Sequence, residues 1–254
     1  MLTFLIGFLF SAQAGAAPAA PAANDVVDNV QKFYKDIKQV TASFRQTVHI
    51  STFGTDKTSD GTVWLMKPGK MRWDYLEKKK SEVQVKKSFI SNGTNLYVVE
   101  HDNKQVVKKN LQQDLMPVAV SFLYGKGDLK TEFTAAIDTA ATYGNKGDLV
   151  IKLTPKKPSA QYKNLILVVD KTQFRVKESV IIDSANNVNH FQFFQPDFDK
   201  PIKDSWFEFN PDSVNKTYRI VDGDAPQPQP AGSAAGSAAP APAPVPVPAI
   251  TPKK

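Results

Sequence analysis

From Thr41 to Pro211 the chain is a succession of short stretches in which apolar and polar residues alternate, separated by turn signals. No other feature limits its fold as strongly. The stretches "TASFRQTVHI", "VWLMKPGKMRWDY", "FISNGTNLYVVE", "QVVKK", "DLVIKLTP", "NLILVVD", "FRVKESVIID", "NVNHFQFFQ" and "WFEFNP" read as strands or strand pairs. Turns are expected at Pro68-Gly69, Asp170-Lys171-Thr172, Asp183 to Asn187 and Pro196 to Pro201. Asn92-Gly93 supplies residues that tolerate positive φ in a two-residue turn. So many strands in series make an antiparallel meander. A sheet of that length curls and leaves a concave apolar face, which amphipathic helices can cover.

Two segments break the pattern. Val26, Val30, Phe33, Ile37 and Val40 recur at spacings of three and four, which predicts a one-faced helix capped by Asn24 or Asp25. "LMPVAVSFLYG" reads as a short inserted helix, with Pro117 at its first position and Gly125 just past its end. The expected fold class is therefore α+β, a long and strongly curved antiparallel sheet with two small helices.

The ends differ in composition from this core. Leu2 to Phe10 is an apolar run too short to span a bilayer, and the small residues Ala12-Gln13-Ala14 follow it. It reads as a secretory signal peptide cut near Ala14, joined to an Ala/Pro spacer, so that residues 1–23 precede the folded unit. Residues 24–224 form one domain, and residues 225–254, rich in Pro and Ala without any aromatic, form an extended tail. An exported chain with no cysteine has no disulfide framework, no thiol nucleophile and no lipobox. Its hydrophobic content of 41% suffices for a core, and its net charge of +7 favours acidic surfaces such as anionic headgroups or acidic proteins over nucleic acid outside the cytoplasm. Its paired lysines read as solvated turn and edge residues.

No catalytic pattern stands out. His49, His101 and His190 are far apart, and no metalloprotease, nucleophile-elbow or P-loop motif is present. Asp197 and Asp199 in "QPDFDKP" read as turn residues rather than an acid/base pair. Without thiols and with scattered imidazoles, no metal site or cofactor is expected. The sequence points to binding rather than catalysis.

The order of the motifs carries a resemblance. A helix, "ASFRQT", "GTVWLMKPGKMRWDY", "ISNGTNLYV", a Pro-started helix, "LTPKK" and "FEFNP" follow one another from about Val26 to Val221. In this the chain resembles the periplasmic outer-membrane lipoprotein carrier family, LolA. The resemblance implies an unclosed antiparallel β-barrel with a helical lid over a hydrophobic cavity. It also implies a monomeric carrier that accepts acylated lipoproteins from the inner-membrane ABC exporter LolCDE. That carrier would shield their acyl chains across the periplasm and pass them to an outer-membrane acceptor, LolB or its equivalent. The absence of a lipobox argues against LolB itself, which is a lipoprotein.

On this resemblance the lipid-binding candidates are Phe44, Val63, Leu65, Met71, Trp73, Tyr75, Ile90, Leu96, Met116 and Phe122. Methionine and aromatic side chains suit a ligand that is liquid-like and apolar. Trp64, Met66, Met71 and Trp73 alternate, and alternation alone does not say which face is lined. The latch candidates are Lys67, Pro68 and Arg72. Where the family typically carries arginine before the proline, this chain has Lys67, which cannot form a planar bidentate fork. Its amine is expected to reach the carbonyls ending the inserted helix, around Phe122 to Tyr124. A rival reading keeps the same half-barrel as a lipid-binding sensor or scaffold without shuttle activity.

Overall fold

A computed structural model of the chain describes residues 21–111, 127–140, 142–159, 162–210 and 217–224. The signal-peptide segment, the Pro117 to Gly125 helix with Met116 and Phe122, and the residue 225–254 tail lie outside these.

The first element is helix α1 (Ala23–Asp36). It starts one residue before its expected caps: Ala22 occupies the N-cap and no side chain caps it. Val26, Val27, Val30 and Tyr34 are its buried stripe, and the helix stops before Val40, which belongs to the first strand. The strands follow as a meander: β1 (Gln39–Ile50), β2 (Thr55–Met66), β3 (Lys70–Lys79), β4 (Glu82–Asn92), β5 (Asn95–Glu100) and β6 (Gln105–Asn110). After a one-turn helix α2 (Leu129–Glu132) come β7 (Phe133–Ile137), β8 (Leu149–Pro155), β9 (Asn164–Val169), β10 (Val176–Ile182) and β11 (Val188–Asp197). A 3-10 turn (Asp204–Phe207) and β12 (Arg219–Asp222) complete the described chain.

All strands join one sheet of order β12-β6-β5-β4-β3-β2-β1-β11-β10-β9-β8-β7. Every pairing is antiparallel except β12 beside β6. β1 and β11 bring the two meanders together at the centre, and the two outermost strands do not pair with each other.

The helix contacts show how strongly the sheet curls. At its C-terminal end α1 meets the turn after β2. Three to seven residues earlier, Gln31 accepts the Leu129 amide and Asp28 pairs with Lys130, just before β7. Flat, β2 and β7 would stand about 29 Å apart, six strand spacings of about 4.8 Å. A helix about 10 Å wide reaches both only because the sheet wraps around it. The result is an unclosed, strongly curved antiparallel sheet with α1 lying in its concavity.

Turns set the local register. Between β2 and β3, the Lys67–Pro68 bond is cis and Gly69 has φ +69°. Between β4 and β5 the loop is Gly93-Thr94, one residue later than expected. Gly93 carries the positive φ, while the Asn92 carboxamide accepts the amides of Thr94 and Asn95.

Candidate functional site

Alternation assigns each strand residue to one of two faces. On the concave face, Val40, Ala42 and Phe44 of β1, Val63 and Leu65 of β2, and Met71 and Trp73 of β3 are buried in one cluster with Leu165, Leu167, Phe191 and the apolar stripe of α1. Tyr75, Phe89, Leu96 and Phe193 are partly buried against it. Eight of the ten lipid-binding candidates are described, and seven of them meet on this face: Phe44, Val63, Leu65, Met71, Trp73, Tyr75 and Leu96.

The middle of the trough is aromatic. Phe44 meets Trp73 and Tyr75 edge-on, each at 5.0 Å between centroids, Tyr75 meets Phe89 at 5.8 Å, and Trp73 meets Phe191 at 5.5 Å. Gly61 makes this belt continuous. It pairs with Phe44 across β1 and β2, and a Cβ there would stand 2.4 Å from the Phe44 ring and 2.3 Å from the Asp74 carbonyl oxygen. With no side chain on β2, the Phe44 ring lies across that strand and reaches β3. The sequence reading did not single out Gly61, although an isolated glycine in a strand is a signal for close approach.

The helix over this floor is held by its apolar stripe and a few polar bonds. The Tyr34 hydroxyl accepts the Val176 amide at 3.1 Å, and burial pushes its pKa up to about 12. The Lys67 ammonium donates to the carbonyl oxygens of Tyr34 and of Lys35, the latter at 2.6 Å. These are last-turn carbonyls without intrahelical partners, where the helix dipole favours a cation. Burial lowers the Lys67 pKa, and Asp36 partly offsets this. Lys67 therefore ties the turn after β2 to the end of α1; residues 122–124, toward which the sequence expectation placed it, lie outside the described residues. A small hollow lined by Ile37, Val40, Leu65 and Lys67 marks this seam.

The structure does not bring Ile90 or Arg72 to the trough. They are cross-strand partners and share the outer face, the opposite parity from Met71 and Trp73. There Ile90, Val99 and Val106 form a second cluster with Tyr97, Phe209 and Tyr218. Arg72 pairs with the buried Asp74 at 2.9 Å, Ser88 donates to the same carboxylate at 2.7 Å, and the guanidinium lies 5.0 Å from the Trp206 ring centroid. Trp64 meets the edge of Trp206, and Tyr97 stacks on Phe209. Arg72 thus holds the C-terminal segment to the outside of the sheet. Burial lowers the pKa of His101, whose Nδ1 lies 2.8 Å from the Tyr218 hydroxyl.

The histidines face separate polar partners, Asp56 for His49, Tyr218 for His101 and Glu178 for His190. Asp197 accepts the amides of Asp199 and Lys200 and so closes a turn. Among the described residues there is no group of three metal-ligating side chains and no helix long and apolar enough to cross a membrane.

Comparison with known proteins places the sequence beside one family. The family model described as outer membrane lipoprotein carrier protein LolA matches residues 35–210. An outer-membrane lipoprotein carrier protein of Coxiella burnetii (strain RSA 493 / Nine Mile phase I) is 27% identical over 217 residues, 83% of this chain and 93% of that protein. The protein of the same name from Chromobacterium violaceum is 26% identical over 228 residues, 87% of this chain and 98% of its own length. Among solved structures, the LolA superfamily protein NE2245 from Nitrosomonas europaea aligns with 75% of this chain and 99% of its own, at 10% identity and a TM-score of 0.40. The lipoprotein LppX of Mycobacterium tuberculosis aligns with 71% of this chain and 98% of its own, at 12% identity and a TM-score of 0.42.

Proposed function

We propose, on the premise that this chain belongs to the outer membrane lipoprotein carrier protein LolA family, that its trough takes up the acyl chains of lipoproteins released from the inner membrane. The protein carries them through the periplasm to the outer membrane. An inner-membrane ABC exporter of the LolCDE type loads it, and LolB or an equivalent acceptor unloads it. It works as a monomer and as a binder, not an enzyme.

One observation carries this reading: a continuous apolar and aromatic face lies beneath a helix fixed by few polar bonds. Burying alkyl chain there contributes about 0.8 kcal/mol per methylene, so a partly inserted chain reaches useful affinity without any polar contact. For chains to enter, α1 must give way at the Lys67 seam. The lining is then Phe44, Val63, Leu65, Met71, Trp73, Tyr75 and Leu96, with Lys67 as the latch.

Native mass spectrometry of the protein isolated from the periplasm of a Gram-negative host tests this reading. Acylated cargo on the folded protein is the expected result. A persistently empty protein, in cells with abundant lipoproteins, overturns the carrier reading and favours a sensor or scaffold.

A further inference from the structure

The trough changes character along its length. Near the turns after β2 and β4 it is aliphatic, with Leu65, Met71 and Leu96; in the middle it is aromatic; beyond that, Gln46 donates to the Asn189 carboxamide at 2.8 Å. At the far mouth, where β1 turns into β2 and β3 into β4, the same parity brings up lysines. Lys57 pairs with Val48, two positions beyond Gln46, and Lys87 pairs with Tyr75 and lies over the Phe89 ring at 5.1 Å.

These lysines belong to a network with one cation in excess. Lys79 reaches Glu77 at 2.7 Å and Asp102 at 3.0 Å, Lys86 lies 3.7 Å and 3.4 Å from the same two carboxylates, and Lys87 pairs with Glu100 at 2.8 Å. Asp56 is turned to His49 on the other face. Glu77, Glu100 and Asp102 are thus engaged, and among the described residues no carboxylate lies within ion-pair distance of Lys57. Burial, then the charges of Lys86 and Lys87, push the Lys57 pKa down. A cation repelled by like charges gains from an anion placed beside it.

We propose that the far mouth binds the anionic group of an amphiphile whose alkyl chain lies along the aromatic floor, with Lys57 as its principal contact. This rests on the acyl-chain reading of the trough and adds a charge preference and a polarity: head at the far mouth, tail toward the α1 latch. A phosphodiester headgroup fits this chemistry, and free phosphate esters share it. The chain distinguishes the two sources, since only a lipid also fills the aromatic belt.

Calorimetric titration at fixed ionic strength with lysophosphatidylglycerol, lysophosphatidylcholine of the same chain and glycerol phosphate tests the site below micelle concentrations. The expected result is that the anionic lysolipid binds about two- to tenfold tighter than the zwitterionic one. Glycerol phosphate alone should bind far more weakly than either. Lys57→Ala should abolish the preference, weakening the anionic lysolipid more than the zwitterionic one, while Lys57→Arg keeps it. Lys57 is exposed, so unchanged near-ultraviolet dichroism is expected for both variants. Equal binding of the two lysolipids, or a preference that survives Lys57→Ala, overturns the head site and leaves the trough reading standing. Glycerol phosphate binding as tightly as the anionic lysolipid overturns the amphiphile. Binding of neither lysolipid overturns the trough reading as well.

Discussion

Phe44 shows how one side chain's role depends on what faces it. Its inward parity follows from alternation, but its reach to Trp73 and Tyr75 depends on Gly61 in the strand between. Gly61→Ala puts a methyl group against the Asp74 carbonyl, a backbone atom that cannot swing aside as a side chain would. It is expected to destabilise the domain by about 2 kcal/mol, roughly 4–8 °C in Tm, with altered near-ultraviolet dichroism. An unchanged Tm would mean that β2 and β3 part freely. Tyr34→Phe removes the acceptor for the Val176 amide, which costs about 1–3 kcal/mol for a buried donor left unpaired. The Tyr34 hydroxyl holds its proton more tightly folded than unfolded, with a pKa near 12 against 10. Its contribution is therefore complete below pH 10 and lost as the pH rises through 10 toward 12. A tyrosinate titration should lose its last-ionising group in Tyr34→Phe; persistence of that group in the variant would assign it to another tyrosine. Ile90 and Arg72 were not legible in this way. Arg72 is turned outward by plain alternation with Met71 and Trp73, which gives no sign of which face is concave; for Ile90, the extra residue Lys86, between the pairs Tyr75–Lys87 and Leu76–Val85, shifts the register from the β3–β4 turn where no sequence signal marks it.

At the scale of elements, α1 was legible from its apolar spacing, but the site where Lys67 anchors it was not. The sequence expectation paired Lys67 with the inserted helix because both look like parts of one lid. In the fold, Lys67 donates to the carbonyls of Tyr34 and Lys35. The physical reason is chain geometry. α1 ends two residues before β1, whose first residue pairs with Met66, so the short connection makes the helix C-terminus and the turn after β2 neighbours. Lys67→Leu removes the ammonium and keeps the bulk. If its bonds contribute about 1.5 kcal/mol to closure, the open form rises about tenfold, and uptake of a hydrophobic fluorescent probe by the empty protein rises with it. Lys67→Arg should lower uptake, because a guanidinium offers both carbonyls fixed donors. Probe binding equal to the parent in both variants would remove Lys67 from the gate. Uptake that appears only with loss of near-ultraviolet dichroism would mean unfolding, not opening.

For the whole molecule, the curved sheet was legible because so many strands in series leave few alternatives, and strand order within each half followed from short antiparallel connections, whereas the pairing of β1 with β11 that joins the halves did not. The C-terminal segment was less legible. "WFEFNP" reads as a strand, yet Trp206 and Phe207 lie in a 3-10 turn across the outer face, and the last strand adds in parallel at the edge. The alternating pattern was real, but its partners were side chains of β2 to β5 rather than a ladder. Phe207 is fully buried, Phe209 stacks on Tyr97, Lys70 pairs with Asp204 at 2.9 Å, and Tyr218 reaches His101. This strap covers the second cluster as α1 covers the first, so each face of the sheet has its own cover although the two outermost strands do not pair. Two truncations separate the strap from the Pro/Ala tail. Ending the chain at Asp224 keeps every outer-face contact described, and residues 225–254 have no aromatic side chain to bury, so Tm should change by no more than about 1 °C. Ending it at Ile202 uncovers Ile90, Val99 and Val106, removes the Asp204 partner of Lys70 and takes the Trp206 ring away from Arg72. Losing the burial of Phe207 alone is worth about 3–5 kcal/mol, so Tm should fall by roughly 6 °C or more, with increased dye binding to exposed apolar surface. A large drop on removing only residues 225–254 would show that the tail docks on the domain. An unaffected Tm on ending at Ile202 would show that the sheet is held by its concave core alone.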